Sequence, residues 1–336
     1  MKQMTIKENE AGQRLDKYLA KLLPKAPKSF FYKMLRKKNI TLNKKKASGG
    51  EKLQCGDLVQ LFLGQETLEK FSGEAFQRSH GELDILYEDE QVLLLNKPVG
   101  MLSQKGKPQD VSMVEYLITY LLESGQITEE QLRTFRPGIC NRLDRNTSGI
   151  LVAGKTLVSL QELSKLFHDR ILEKYYLCLV KGQIVQKKFI KGCLHKDEKC
   201  NKVSIEEVPF PGASPIETSY EPLAHNREMT LLKVHLITGR THQIRSHLAY
   251  IGHPILGDPK YGDADWNRLF LKKYGLRNQL LHAAWLRIPR IEGTLGYLSE
   301  RRFFAPVPGQ FMEILRKEHL EESIDDEDMA RNMGIR

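Results

Sequence analysis

The stretch CNRLDRNTSGIL, Cys140 to Leu151, sets the carboxylate of Asp144 between two guanidiniums, Arg142 and Arg145, just before the apolar run Ile150–Leu151–Val152. Two arrangements fit that spacing. One is a surface ion-pair cluster. The other is a catalytic carboxylate, kept ionised by one arginine while another handles a substrate. The tripeptide Arg-Leu-Asp occurs twice, which offers an internal comparison. Arg14–Leu15–Asp16 opens a basic amphipathic helix, and Asp16 falls in its first turn, where the helix dipole favours a carboxylate. That role is structural. Asp144 instead follows Pro137–Gly138 and stands at a loop-to-strand junction, where a rigid sheet can display a reacting group.

A second constellation is GRTHQIRSH, Gly239 to His247, crossing from a strand end into a helix start. Arg240 and Thr241 fall at the N-terminal turn, and Arg245 and His247 on the helix. His242, His247 and His253 suggest a metal site, but spacings of five and six do not put neighbours on one helix face. No HExxH-like motif accompanies them, so packing or hydrogen bonding is the preferred role. Arg245 alone reads as one half of a salt bridge. The third piece is Lys174–Tyr175–Tyr176 at a strand start. Adjacent strand residues point to opposite faces, so at most one tyrosine can share a cleft with Asp144. Sheet packing accounts for either one taken alone.

The elements that must position these groups follow from periodicity. RLDKYLAKLL places Leu15, Tyr18, Leu19 and Leu22 on one helix face, and Pro24 and Pro27 break it. Ser29 is expected to cap a second helix, SFFYKMLRKK, with Phe31, Met34 and Leu35 inward. NITLN and DLVQLFL read as strands around a basic turn region. Residues 64–81 show little periodicity and read as a linker. Beyond them, ELDILYEDEQVLLLNKP reads as two strands, VSMVEYLITYLLESG as a helix, and TLVSLQELSKLFHDR as a helix capped by Thr156. YYLCLVKG is a strand, ETSYEPLAHNREMTLLKVHLITG a hairpin turning at Asn226–Arg227, and THQIRSHLAYIG a helix stopped by Gly252. LLHAAWLRI is a core strand and PGQFMEILRK a terminal helix. Hairpins dominate, which points to an α+β catalytic domain whose mixed sheet is mainly antiparallel and flanked by helices, with a small N-terminal αβ domain before it. The expected boundaries are 13–63 for the small domain, 64–81 for the linker, 82–316 for the large domain and 317–336 for an acidic, disordered tail.

Composition narrows the function classes. With 336 residues, 40% hydrophobic and 28% charged, the chain has the make-up of a soluble protein of about two domains. No apolar run approaches the roughly 18 residues of a membrane span. MKQMTIKENEAGQ lacks a signal-peptide core, so the expected location is the cytoplasm. Five scattered cysteines argue against a disulfide framework. Cys193, His195 and Cys200 lack the second ligand pair that a zinc site needs. The net charge of +10 is localised: Arg14 to Lys46 holds 12 Lys/Arg against Asp16 alone, a balance of +11, leaving the remainder near neutral. A folded basic piece on a neutral body suggests a polyanion-binding module.

LYEDEQVLLLNKPVGMLSQ, RPGICNRLDRNTSGILVAGKT, KYYLCLVKG and LITGRTHQIRSHLAYIGHPILGDPKYGD occur in that order and together resemble the successive motifs of the RluA-type pseudouridine synthases. The basic N-terminal piece resembles the S-four-type RNA-binding domain that many of these enzymes carry. With both parts, covering about residues 13 to 316, the chain is similar to the ribosomal large-subunit synthases of the C and D subgroups. The resemblance implies uridine-to-pseudouridine isomerisation in RNA, foremost large-subunit ribosomal RNA, without cofactor or metal, by a monomer needing no protein partner and no membrane. It implies that Asp144 is the catalytic aspartate, attacking the sugar or abstracting a ribose proton. It makes Tyr176 the tyrosine under the base, Arg245 the partner of Asp144, Arg142 the arginine that enters the RNA stack, and Leu281 an apolar pocket wall. Phosphate contacts fall to the basic domain, with Lys28, Lys33, Arg36, Lys37, Lys44 and Lys45 as candidates. The family usually has His where this chain has Asn141, a departure that touches pocket detail. Transfer RNA is the alternative substrate. A non-catalytic RNA-binding assembly factor and a histidine-based metallohydrolase are the alternative functions.

Overall fold

A computed structural model of the chain describes residues 1–74, 76–197, 202–206 and 211–321. The contacts divide it into two compact units, 1–81 with 114–138 and 155–160, and 82–113 with 139–154 and 161–336.

In the first unit, four short strands, β1 (Lys2–Thr5), β2 (Ile40–Leu42), β3 (Lys45–Lys46) and β4 (Leu58–Leu61), form an antiparallel sheet in the order β1-β4-β2-β3. Helices α1 (Leu15–Leu22) and α2 (Lys28–Arg36) supply the rest of its core: Leu15, Tyr18, Leu19, Leu22, Phe31 and Leu35 are all buried. Strand β1, too short and too polar to announce itself, was not expected from the sequence. Nor is Ser29 the cap of α2. Pro27 takes that position with extended backbone, which leaves Ser29 inside the first turn. The segment read as a linker holds a helix, α3 (Gln65–Phe71), with no buried residue. Helices α4 (Met113–Glu123) and α5 (Glu129–Leu132) follow, α5 opened by a Thr128–Gln131 capping box. The Thr134 hydroxyl hydrogen-bonds Glu10, tying α5 to the N-terminal segment within the same unit.

The second unit is built on one large sheet. Its strands are β5 (Ile85–Glu88), β6 (Val92–Lys97), β7 (Gly138–Ile139), β8 (Ser148–Gly154), β9 (Glu173–Lys181), β10 (Lys188–Asp197), β11 (Lys202–Glu206), β12 (Ser214–His225), β13 (Met229–Leu236), β14 (Leu281–Arg287) and β15 (Arg302–Phe304). The order is β11-β10-β12-β13-β9-β14-β8-β6-β5, with β7 beside β8 and β15 beside β14. Among the described residues β14–β8 is the parallel pair in a sheet otherwise antiparallel. Such a pair needs close backbone approach, and Gly149 permits it. Its φ is +110°, and a Cβ there would lie 2.2 Å from the Ala283 carbonyl oxygen.

Among the described residues α7 (Gln243–Tyr250), α8 (Ala264–Tyr274) and α9 (Gly309–Lys317) lie within this unit, and α6 (Leu157–His168) crosses into it after Leu160. Thr156 caps α6 as expected, its hydroxyl accepting from the Ser159 N–H at 3.1 Å. The sheet buries both faces. Leu177, Leu179, Leu231 and Trp285 pack with Phe270 of α8 and Phe311 and Ile314 of α9, while Leu94, Ile150, Val152 and Leu286 pack with Leu163 of α6. Of the expected tail, Lys317 ends α9 and residues 318–321 join the fold, since Leu320 is fully buried in the first of these clusters. Residues 322–336 lie outside the described residues.

Candidate active site

The loop carrying Asp144 is fixed at alternate residues before and after it. Asn141 donates to the Ile150 carbonyl at 3.0 Å and accepts from the Val152 N–H at 2.8 Å, so the side chain found in place of the family's usual His joins the loop to β8 through both of its amide atoms. Ser103, buried, accepts from the Leu143 N–H at 3.0 Å and donates to the Leu143 carbonyl at 2.8 Å. Lys97, at the end of β6 and fully buried, donates to the carbonyls of Pro98, Met101 and Arg145 at 2.8, 2.8 and 2.9 Å. Burial lowers its pKa to about 7, against an opposing pull from Asp144. Three carbonyls need three N–H donors, and an ammonium has three where an amine has two. The Thr147 N–H closes the turn onto the Asp144 carbonyl at 3.1 Å, and Gln279 holds the Thr147 hydroxyl at 3.2 Å.

Onto this loop comes Arg245 of α7. Its Nη1 donates to Asp144 Oδ2 at 2.7 Å, while Nε and Nη2 grip Asp258 at 2.7 and 2.9 Å. The side chain of Arg245 is 7% exposed, that of Asp258 0% and that of Asp144 26%. Burial works against the charge of Arg245, but the two carboxylates outweigh it and raise its pKa further. Burial likewise opposes ionisation of Asp258, and its bonds to Arg245 and to the Lys260 and Tyr261 N–H groups reverse the sign, so its pKa is lowered. The tip of α7 is held by Gln243, which accepts from Thr238 at 2.8 Å and from the Arg240 N–H at 3.1 Å, and donates to the Glu217 carbonyl at 3.0 Å.

The tyrosine pair divides between faces, as alternation requires. Tyr175 stacks between His235 and Trp285 and donates to Glu173 at 3.0 Å. Tyr176, on the other face, is 7% exposed and pairs in register with Ala283 of β14. Burial first, and then the charge of Asp144, raise the pKa of its phenol, so it lies within the electrostatic reach of that carboxylate. Leu281 is buried two residues before Ala283, on the same face of β14. Arg142 is exposed and has no ion-pair partner among the described residues.

The histidines do not converge. His247 is buried against the Thr218 hydroxyl at 3.1 Å, His253 meets the Lys181 carbonyl at 2.9 Å, and His242 faces Tyr261 at 3.0 Å. Cys193 is buried and His195 exposed on β10, while Cys200 lies outside the described residues. Among the described residues no cluster of three or more His, Cys, Asp or Glu is arranged to hold a metal. In the first unit, Lys28, Lys33, Arg36, Lys37, Lys44 and Lys45 are exposed, on α2, its C-terminal cap and the β2–β3 hairpin, whose turn residues Asn43 and Lys44 take φ of 50° and 63°. No helix of the described residues is long and apolar enough to cross a membrane. Lys97, Ser103 and Asp258 were not singled out from the sequence. A lysine ending the apolar run VLLLN was the one available hint.

Comparison with known proteins bears on the family and the fold. Residues 91–250 match the family model for RNA pseudouridylate synthases. The chain is 34% identical to the ribosomal large subunit pseudouridine synthase C of Pasteurella multocida over 94% of its length and 93% of that protein's. It is 34% identical to the synthase of the same name from Escherichia coli, over 85% and 88%. The solved human RNA pseudouridylate synthase domain containing 4 is 24% identical, with a TM-score of 0.56 over 70% of this chain and 93% of that one, a likeness of fold. With sequence, fold and family model in agreement, the chain belongs to the RluA-type pseudouridine synthases, isomerases that act on RNA.

Proposed function

We propose that this chain converts uridines of large-subunit ribosomal RNA to pseudouridine in the cytoplasm, as a monomer, with Asp144 as the reacting carboxylate. The observation that carries the reading is the 2.7 Å contact between Asp144 and an arginine already gripped by the buried Asp258. Such a guanidinium holds its carboxylate without rearranging, which is the preorganisation catalysis requires. The substrate assignment is supported by relatives in Pasteurella multocida and Escherichia coli that carry the name ribosomal large subunit pseudouridine synthase C.

The reaction breaks the N-glycosidic bond, turns the base and rejoins it through carbon. Nothing is oxidised and no group is imported. The uridine must first leave its stack, at a cost of a few kcal/mol. Arg142, exposed beside Asp144 in sequence, enters the stack in its place. Tyr176 lies under the displaced base, and Leu281 walls the pocket. Stacking and hydrogen bonding at these groups offset the extrusion cost. The basic residues of α2 and the β2–β3 hairpin act as an S-four-type RNA-binding domain. They contact phosphates, so affinity falls with salt at a log–log slope of about −0.7 per single-strand phosphate neutralised.

Pseudouridine mapping in cells with and without this gene tests the substrate. The expected result is loss of modification at positions in large-subunit ribosomal RNA. Loss confined to transfer RNA would overturn that assignment. Asp144→Ala protein that still modifies a ribosomal RNA transcript would overturn the role of Asp144.

A further inference from the structure

The two oxygens of Asp144 are treated unequally. Oδ2 accepts the 2.7 Å bond from Arg245 and lies 3.9 Å from Nε2 of His242. Among the described residues no side chain donates to Oδ1. His242 reaches this position at a backbone cost. It is the residue before α7, with φ of 56° and ψ of 15°, a left-handed conformation uncommon outside glycine. Backbone of this kind persists where the surroundings over-determine it, and it clusters at functional sites.

The hydrogen bonds around His242 assign its tautomer. Tyr261 Oη accepts from the Val203 N–H at 2.9 Å and lies 3.0 Å from His242 Nδ1. The phenol has one proton, and directing it at Nδ1 satisfies the hydroxyl, the backbone N–H and the ring nitrogen together. Nδ1 is then the acceptor, and the ring proton sits on Nε2, the atom turned toward Asp144. Burial disfavours the imidazolium, and although Asp144 opposes it, the pKa of His242 stays below the ordinary value. The ring is therefore the neutral Nε2–H form at pH 7. Tyr261 also stacks on Arg245, whose Cζ is 5.3 Å from the ring centroid, so one phenol orients both groups that address Oδ2.

We propose that His242, fixed as its Nε2–H tautomer by Tyr261, is a positioning residue for Asp144: with Arg245 it holds Oδ2 and leaves Oδ1 as the oxygen that meets the uridine. This rests on the reading of Asp144 as the reacting carboxylate. The present separation is about 1 Å beyond a hydrogen bond, a gap of the kind that closes when substrate fills a site.

The test compares two amides at position 242. In His242→Gln the amide nitrogen reaches the place of Nε2 and can donate to Oδ2. In His242→Asn it ends at the place of Nδ1 and cannot, yet asparagine tolerates left-handed backbone at least as well as histidine. Turnover is measured on a ribosomal RNA transcript, with thermal midpoints to verify folding and Asp144→Asn run alongside. The expected result is a kcat about tenfold or more lower for His242→Asn, with KM within about twofold and kcat largely restored in His242→Gln. Tyr261→Phe should lower kcat alone and add little to His242→Asn. Equal kcat for the two amide variants, with Asp144→Asn inactive, would overturn this inference and leave the function standing. An active Asp144→Asn would overturn both.

Discussion

Asp144 and Asp258 share one guanidinium: Arg245 gives Nη1 to the first and Nε with Nη2 to the second. The division of labour follows from exposure. Asp258, fully buried, anchors the arginine, and Asp144, 26% exposed, keeps an open side. Asp258→Asn should therefore act at a distance, on the placement of Arg245. Removing one partner of a buried pair costs about 3–5 kcal/mol. The expected outcome is a lower urea midpoint together with a loss of turnover of tenfold or more at saturating RNA. Unchanged stability and turnover would mean that Asp258 does not set the arginine.

Lys97 offers a second test, on the loop and not on the arginine. Lys97→Met fills much of the same volume but takes the ammonium from the carbonyls of Pro98 and Met101, while the Arg145 carbonyl keeps the Gly100 N–H at 2.9 Å. An acceptor left unsatisfied costs up to about 1–3 kcal/mol, and less where water reaches it. The variant should unfold at a clearly lower temperature and turn over slowly even where it is folded, because the loop that carries Asp144 has lost its brace. Wild-type turnover in folded Lys97→Met would remove that role.

A third prediction concerns pH. His282, in the middle of the sheet, lies 2.8 Å from the Ser148 hydroxyl and 3.1 Å from the Ala305 carbonyl, and burial lowers its pKa to about 4. In the unfolded chain the ordinary value of 6.5 returns. Between these values the unfolded state binds the proton that the folded state refuses, so stability falls as pH is lowered. The contribution is complete above about pH 6.5 and is lost toward pH 4. Thermal midpoints across this range should drop more steeply for the native chain than for His282→Gln. Parallel curves would show that the histidine contributes nothing to the slope.

What the sequence disclosed was the chemistry that motifs carry and the elements that periodicity marks. Asp144 and Arg245 were singled out although they lie 101 positions apart, the apolar runs of β8 and β14 stood out as buried strands, and β9 as a strand. The supporting groups were not legible for a physical reason. Lys97, Ser103 and Asp258 matter through partners that tertiary folding alone brings near, and beyond the apolar run before Lys97 nothing local distinguishes them from any other lysine, serine or aspartate. The smaller misses follow the same logic. Strand β1 exists because β4 offers an edge to pair with. Pro27 displaces Ser29 as the cap because its ring fixes the backbone where the helix begins. Helix α3 has only Leu68 and Phe71 partly buried against the core, too few for a hydrophobic stripe to announce it.

The bracing of the Asp144 loop by Asn141, Lys97 and Ser103 leaves little slack in the protein. With Asp144 in the reacting role proposed above, a loop held this firmly leaves most of the distortion needed for encounter to the nucleic acid. On that proposal, acceptance of a nucleoside depends on how readily its own strand yields, which favours pliable, poorly stacked stretches over stiff duplex.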